Sequence, residues 1–300
     1  MWPRQDEQRV ARRPVIENES WRICTLPDLG ELNGPHRKRI HVVDHGIIRA
    51  ADGTWQLWAC MRGTGVGRLL FGWEGDALES GPWRERGVVA RADPAYGESK
   101  RGDVETIGAP FFLRDADTYY CFYHSGTIRM MTSRDGVNYE RTPKADGSYE
   151  LYPQGGRDVM VLKLDETYFF YSTVSIGGGN GPAYSFVTLR TTRDLQTFSD
   201  YTKVAEAGMA GYGPVSAESP FVVHLDGYFY LFRSSSMDFH TYVYRSTTPY
   251  CFGCGDDSGL IARFPIKAPE LLEVDGQWFI SDLADFHGIR LSRLQWEAAE

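Results

Sequence analysis

Five times along the chain a short apolar strand runs through a turn into an aromatic strand. Asp44-His45-Gly46-Ile47-Ile48 precedes Trp55-Gln56-Leu57-Trp58, and Ala109-Pro110-Phe111-Phe112 precedes Tyr119-Tyr120-Cys121-Phe122. Asp158-Val159-Met160-Val161 precedes Tyr168-Phe169-Phe170-Tyr171, and Glu218-Ser219-Pro220-Phe221-Val222-Val223 precedes Tyr228-Phe229-Tyr230-Leu231-Phe232. A weaker fifth copy places Ala268-Pro269-Glu270-Leu271-Leu272 before Gln277-Trp278-Phe279-Ile280. Asp52-Gly53, Asp226-Gly227 and Asp275-Gly276 lie between the paired strands, where residues tolerant of positive φ close hairpins. Further β-branched or alternating runs at 127–132, 185–190 and 241–245 supply third strands.

A unit of roughly 50 to 60 residues holding several short strands is the pattern of radial β architecture. The 300 residues divide into five such units. The chain is therefore expected to be all-β, a five-bladed β-propeller of four-stranded antiparallel blades around a central channel. Residues 41–300 form one domain on this reading, and residues 1–40 form an arm that packs on or closes the last blade. Trp21-Arg22-Ile23-Cys24-Thr25 is the strand signal within that arm.

Aligned on the aromatic strands, one position reads Asp44, Ala109, Asp158, Glu218 and Lys267, with steps of 65, 49, 60 and 49. Inner strands of a propeller line the channel, so Asp44, Asp158 and Glu218 are expected to meet at its mouth. Each alone is read most simply as a strand cap or an arginine partner. Three acids at one repeat position is a stronger signal, because like charges held together raise one another's pKa and are tolerated mainly where they are used. Two carboxyl groups can cleave a glycosidic bond, one protonating the leaving oxygen and one activating water or attacking the sugar carbon, and a third can tune the acid.

Composition narrows the partners. The formal net charge of −8, with basic residues clustered only at Arg9, Arg12 and Arg13 and at Arg37-Lys38-Arg39, argues against nucleic acid. No apolar run reaches membrane-spanning or signal-peptide length, so a soluble, cytoplasmic protein is expected unless a signal has been removed. Cys24, Cys60, Cys121, Cys251 and Cys254 are an odd set that fits reduced thiols. The Cys251-Phe252-Gly253-Cys254 spacing is half a zinc site without a second half, so zinc is not expected. Most aromatics are blade-packing residues, while Trp73, Tyr184 and Tyr212 are placed on loops that could stack on sugar rings. The glycine run 177–181 lacks the lysine and helix of a phosphate loop and reads as a flexible rim.

Val43-Asp44-His45-Gly46, Arg157-Asp158-Val159 and Ala217-Glu218-Ser219-Pro220-Phe221, the last leading into Leu225-Asp226-Gly227-Tyr228, resemble the five-bladed propeller glycoside hydrolases of families 43, 62, 32 and 68. The likeness extends over roughly residues 40–296. It departs at His45-Gly46, where an Asp-Pro pair is usual, and at Val159, where proline is usual. The resemblance implies that Glu218 is the general acid. It makes Asp44 the base of an inverting enzyme or the nucleophile of a retaining one, and Asp158 the residue that tunes the acid, with Arg157 beside it on substrate hydroxyls. His287 stands where arabinan-degrading relatives carry a channel histidine, sometimes at a metal. His45, Arg62, His124 and His287 join Arg157 as candidate substrate contacts, with His240 and Arg245 as further rim candidates.

The expected activity is hydrolysis of terminal furanosyl linkages, arabinofuranosyl or fructofuranosyl-like, in oligo- or polysaccharides. The alternatives are sugar transfer to another acceptor and a propeller that binds carbohydrate without catalysis. No cofactor or catalytic metal is required, although a structural calcium in the channel is compatible with the pattern. Specificity is assigned to rim loops at about 61–68, 91–106, 176–184, 207–216 and 236–240.

Overall fold

A computed structural model describes residues 9–34, 40–177 and 182–299. Arg37-Lys38-Arg39 and all but the first glycine of the 177–181 run lie outside the described residues. Strands dominate, and the described helical segments are 3-10 turns of three or four residues. The strands form five sheets in chain order, here I to V. Sheet I contains His41–Arg49, Trp55–Thr64, Gly67–Gly75 and Arg84–Ala90, with the two-residue strands Lys100–Arg101 and Val104–Glu105 added to it. Sheet II contains Gly108–Asp115, Thr118–Ser125, Thr127–Ser133 and Glu140–Arg141. Sheet III contains Arg157–Leu164, Thr167–Gly177, Ala183–Thr192 and Thr202–Glu206. Sheet IV contains Glu218–Leu225, Tyr228–Ser235, His240–Ser246 and Leu260–Phe264. Sheet V joins Leu271–Val274, Gln277–Asp282 and Gly288–Ala298 to Arg12–Thr25, which pairs antiparallel with Gly288–Ala298.

The hairpins between first and second strands close as their residue types require. Asp226 (φ 50°) and Gly227 (φ 77°) are both left-handed, as are Asp275 (φ 52°) and Gly276 (φ 81°). These are the conformations of the tight turns that match strand twist. The first strands of sheets I, II, III and IV pack side by side in that order. Sheet IV reaches sheet V where the Ala268 N–H donates to Ser234 Oγ at 2.9 Å, and sheet V returns to sheet I through the 2.7 Å hydrogen bond between Ser281 Oγ and His45 Nε2. The first strands thus surround one axis.

Aromatic rings fill the spaces between sheets. Trp58 meets Phe112 between sheets I and II at 5.3 Å, Phe122 meets Phe170 between II and III at 5.0 Å, and Phe232 meets Trp296 between IV and V at 6.2 Å. Burying each such side chain contributes about 1.5–3 kcal/mol. Trp73 belongs to this packing and not to a loop. It lies in sheet I, 1% exposed, with its ring 4.8 Å from Phe71, and cannot stack on a ligand. Tyr184 sits in a strand of sheet III and packs edge-on against Tyr212 at 5.0 Å, leaving Tyr212 63% exposed. Cys24, Cys60 and Cys121 are free and buried, and Cys251 and Cys254 are free and exposed.

The segment 91–106 is fastened to the body. Buried Glu98 accepts hydrogen bonds from Tyr123 Oη at 2.5 Å and Arg141 Nε at 2.7 Å, and buried Glu105 pairs with Arg91.

Candidate active site

A left-handed residue recurs at one equivalent place, within the first strands of sheets I to IV and just ahead of that of sheet V: Asp44 (φ 33°), Ala109 (φ 48°), Asp158 (φ 54°), Ser219 (φ 45°) and Ala268 (φ 50°). In the first four sheets this residue lies within a break in strand register. A β-bulge of this kind re-aims a side chain out of the ladder, and holding a non-glycine residue left-handed costs about 1–2 kcal/mol. Four bulges therefore turn one residue each towards the axis, and Ala268 takes the same left-handed conformation just ahead of sheet V.

This register corrects the alignment read from the sequence. The residues equivalent to Asp44 and Asp158 in sheets IV and V are Ser219 and Ala268, one place later than Glu218 and Lys267. Glu218 and Lys267 belong instead to a neighbouring ring with Arg157. Arg157 Nη2 lies 3.6 Å from Glu218 Oε1, and Lys267 Nζ lies 3.3 Å from Glu218 Oε2. The two rings are laced together. Ser219 donates its Oγ–H to Asp44 Oδ1 at 3.3 Å and its N–H to Asp158 Oδ2 at 3.2 Å, while Arg157 Nε stands 3.6 Å from the same Asp158 oxygen. Ser236 Oγ donates a short hydrogen bond to Glu218 Oε2. Asp44, Asp158 and Glu218, from sheets I, III and IV, are therefore joined through one serine and one arginine.

Asp44, Asp158 and Ser219 line a narrow cavity with a free interior of about 20 Å³, with His45 and Glu270 among its other walls. The carboxyl groups on this cavity are buried, and they respond. Burial pushes Asp158 up to about 7, the charge of Asp44 adds to this, and the Arg157 guanidinium opposes it. Burial also raises Asp44, reinforced by Glu218 and opposed by Arg68, Lys267 and the Ser219 hydrogen bond. Glu270 is raised well above the carboxylate range by burial and by the charge of Asp44.

Glu270 and Arg68 were not singled out from the sequence. Glu270 did leave a signal, because the position two residues after each left-handed residue reads Gly46, Phe111, Met160, Phe221 and Glu270, one acid in an apolar column. Arg68 had none, since nothing in Gly67-Arg68-Leu69 marks its charge as reaching Asp44 and His124.

The remaining candidates separate. His45 is buried beside the acids; its Nε2 meets Ser281 Oγ, its Nδ1 has no hydrogen-bond partner, and burial lowers its pKa to about 3. His124 lies near the acids' arginine; burial, with Arg68, Arg157 and Arg129, lowers it to about 4. Arg62 is exposed and meets His41 Nδ1 at 3.4 Å. Exposed His287 stacks edge-on with His41 at 6.3 Å and does not line the axial cavity. His240 bonds the Asp238 carbonyl at 2.8 Å, and Arg245 lies over the Tyr228 ring at 5.3 Å. Lys267 also lies over the rings of Phe239 and Phe286, at 5.1 and 5.7 Å. Among the described residues no three His, Cys, Asp or Glu side chains are gathered to hold a metal ion.

No protein-family model matches the chain. Over 112 residues it is 30% identical to the probable arabinan endo-1,5-alpha-L-arabinosidase B of two Aspergillus fumigatus strains, a match that spans 37% of this chain and 27% of those relatives. A thermostable family-43 glycoside hydrolase superposes over 90% of this chain and 96% of its own, with a TM-score of 0.61 and 15% identity. The endo-arabinase of Bacteroides thetaiotaomicron covers 90% and 98%, with a TM-score of 0.59 and 12% identity. An exo-1,5-alpha-L-arabinanase from a bovine ruminal metagenomic library covers 87% and 97%, with a TM-score of 0.56 and 17% identity. The chain has the fold of the family-43 glycoside hydrolases.

Proposed function

We infer that the five sheets are the blades of a five-bladed β-propeller, residues 41–300 closed by the N-terminal arm, and that the protein is a glycoside hydrolase. Its proposed substrates are arabinofuranosyl linkages in arabinose-containing oligo- or polysaccharides. The observation that carries this reading is the gathering of Asp44, Asp158 and Glu218 from three sheets, linked through Ser219 and Arg157, with the two aspartates on one cavity. The arabinan-degrading relatives favour arabinofuranosyl over fructofuranosyl linkages.

In this mechanism Glu218 protonates the leaving oxygen, held in place by Ser236 and steered by Arg157 and Lys267. Asp44 acts on the anomeric carbon from the other side, directly or through water. Ser219 orients Asp44 with the hydroxyl and Asp158 with the backbone. Asp158, poised near neutrality, exchanges a proton as charge shifts across the cavity and so tunes the potential felt by its two partners. His45, neutral over the working range, contributes shape and no charge.

The test is a hydrolysis screen on p-nitrophenyl arabinofuranoside, xyloside and galactofuranoside with short arabinan and fructan oligomers. Glu218→Gln and Asp44→Asn are each expected to lower activity on the cleaved substrate by roughly a hundredfold or more while circular dichroism stays native. Activity retained in both variants would overturn the assignment.

A further inference from the structure

A groove of about 620 Å³ opens between sheets II and III, with Arg157 among its walls. The same guanidinium approaches Glu218 and Asp158, donates from Nη1 to Ser175 Oγ at 2.7 Å and from Nη2 to the Pro214 carbonyl at 3.2 Å. The groove therefore begins at the acids. Gly126 and Gly155 are left-handed at φ 76° and 56°, and a Cβ on Gly155 would meet nothing within 4 Å. Beneath it Thr173, fully buried, has an Oγ1 without a hydrogen-bond partner.

The lining chemistry selects a ligand class. Among the described residues Arg157 is its one formally charged side chain, already faced by two carboxylates, and His124 is held neutral by burial. The rest is amide, hydroxyl and two exposed apolar faces: Ile176, 50% exposed, and Tyr201, 41% exposed. The Tyr201 ring carries the Arg190 guanidinium 5.4 Å from its centroid, and Arg190 also donates to Gln154 Oε1 at 3.3 Å, so both residues are tied in place. A neutral, polyhydroxylated chain with apolar ring faces fits these walls, whereas a nucleotide, an acidic peptide or a lipid does not. Sheet I, which carries Asp44, contributes nothing to the groove, and Arg157 faces Glu218, the group that serves the leaving oxygen.

We propose that this groove binds the leaving-group side of a neutral oligosaccharide over several sugar units, with Tyr201 and Gln154 engaging its outer end. The direction assigned to the chain rests on the hydrolase reading above, whereas occupancy of the groove by a glycan can be tested without catalysis. Calorimetric titration of the Glu218→Gln variant with arabino- and xylo-oligosaccharides of two to six units reads binding alone. Affinity is expected to rise with length. Adding Tyr201→Ala and Gln154→Ala is expected to remove the gain, by about tenfold for the longest ligand, and to leave the disaccharide unchanged. In the otherwise native enzyme the same pair of substitutions lowers kcat/KM for oligomers by a similar factor and leaves aryl arabinofuranosides unaffected. Flat length dependence, equal weakening of short and long ligands, or no binding by any oligosaccharide would overturn the proposal. Length-dependent binding by a protein that cleaves nothing would support the groove and sink the hydrolase.

Discussion

Replacing Asp158 by asparagine is expected to make the protein more stable in alkaline solution and inactive. Asparagine keeps the shape of the side chain and an acceptor for the Ser219 N–H, but it has no charge to bury. The wild-type carboxyl is displaced from 3.8 to about 7, a difference worth about 4 kcal/mol between its two protonation states. The sign follows from proton binding. Between pH 4 and 7 the folded protein holds a proton that the unfolded chain has released, so stability falls as pH rises through this window and stays low above it. The variant lacks that loss. Its advantage over the wild type should be largest at pH 8, up to about 4 kcal/mol, and should vanish towards pH 4. Denaturant unfolding of both proteins at pH 4.5 and 8 measures it directly. A variant that gains nothing at pH 8 relative to pH 4.5 would refute the claim that this carboxyl is forced to ionise in a buried site, and with it the tuning role assigned to Asp158.

Two further outcomes follow from the same neighbourhood. Gly46→Ala places a Cβ 2.7 Å from the Pro110 carbonyl oxygen and 2.9 Å from the Phe112 ring, where the first strands of sheets I and II approach. It should cost roughly 1–3 kcal/mol, seen as a lower denaturant midpoint. Burial holds His45 near 3 against 6.5 in an unfolded chain, so the unfolded state takes up a proton that the fold refuses. Stability should fall as pH drops below 6.5, by about 2 kcal/mol at pH 5 from this residue, and His45→Gln should flatten that acid limb in a pH-resolved melting series.

The repeat was legible because each unit repeats the same physical task, an apolar strand facing the axis and an aromatic strand packing against the next sheet. The turns were legible because Asp-Gly pairs suit positive φ. The bulges were not. Ser219 and Ala268 are left-handed without being residue types that prefer it, so their sequence gives no cue and the register slipped by one in the last two units. The three acids survived the slip because Glu218, though one place early, still reaches the cluster through Arg157. Trp73 was misassigned for a related reason: between two glycines it reads as loop, yet Gly72 and Gly75 lie in a strand where their missing side chains admit Val89 and Trp83. Ser219 itself, which bonds both aspartates, is a residue type too common at strand ends to stand out.

The pairing of Arg12–Thr25 with Gly288–Ala298 gives the molecule a clasp. Its registered partners include Arg12 and Ala298, 286 positions apart (298 less 12), so on the ribosome the first strand must wait until its distant partner has emerged. Until then sheet V is incomplete and two strand edges are bare, the kind of edge that pairs with a second nascent chain. The entropy of joining such distant segments is lost in one step, with the other four sheets free to form beforehand from local hairpins. Assembly of the ring is thereby separated from its locking, and Asp44, whose neighbour His45 bonds Ser281 of sheet V, sits against the sheet that the clasp completes.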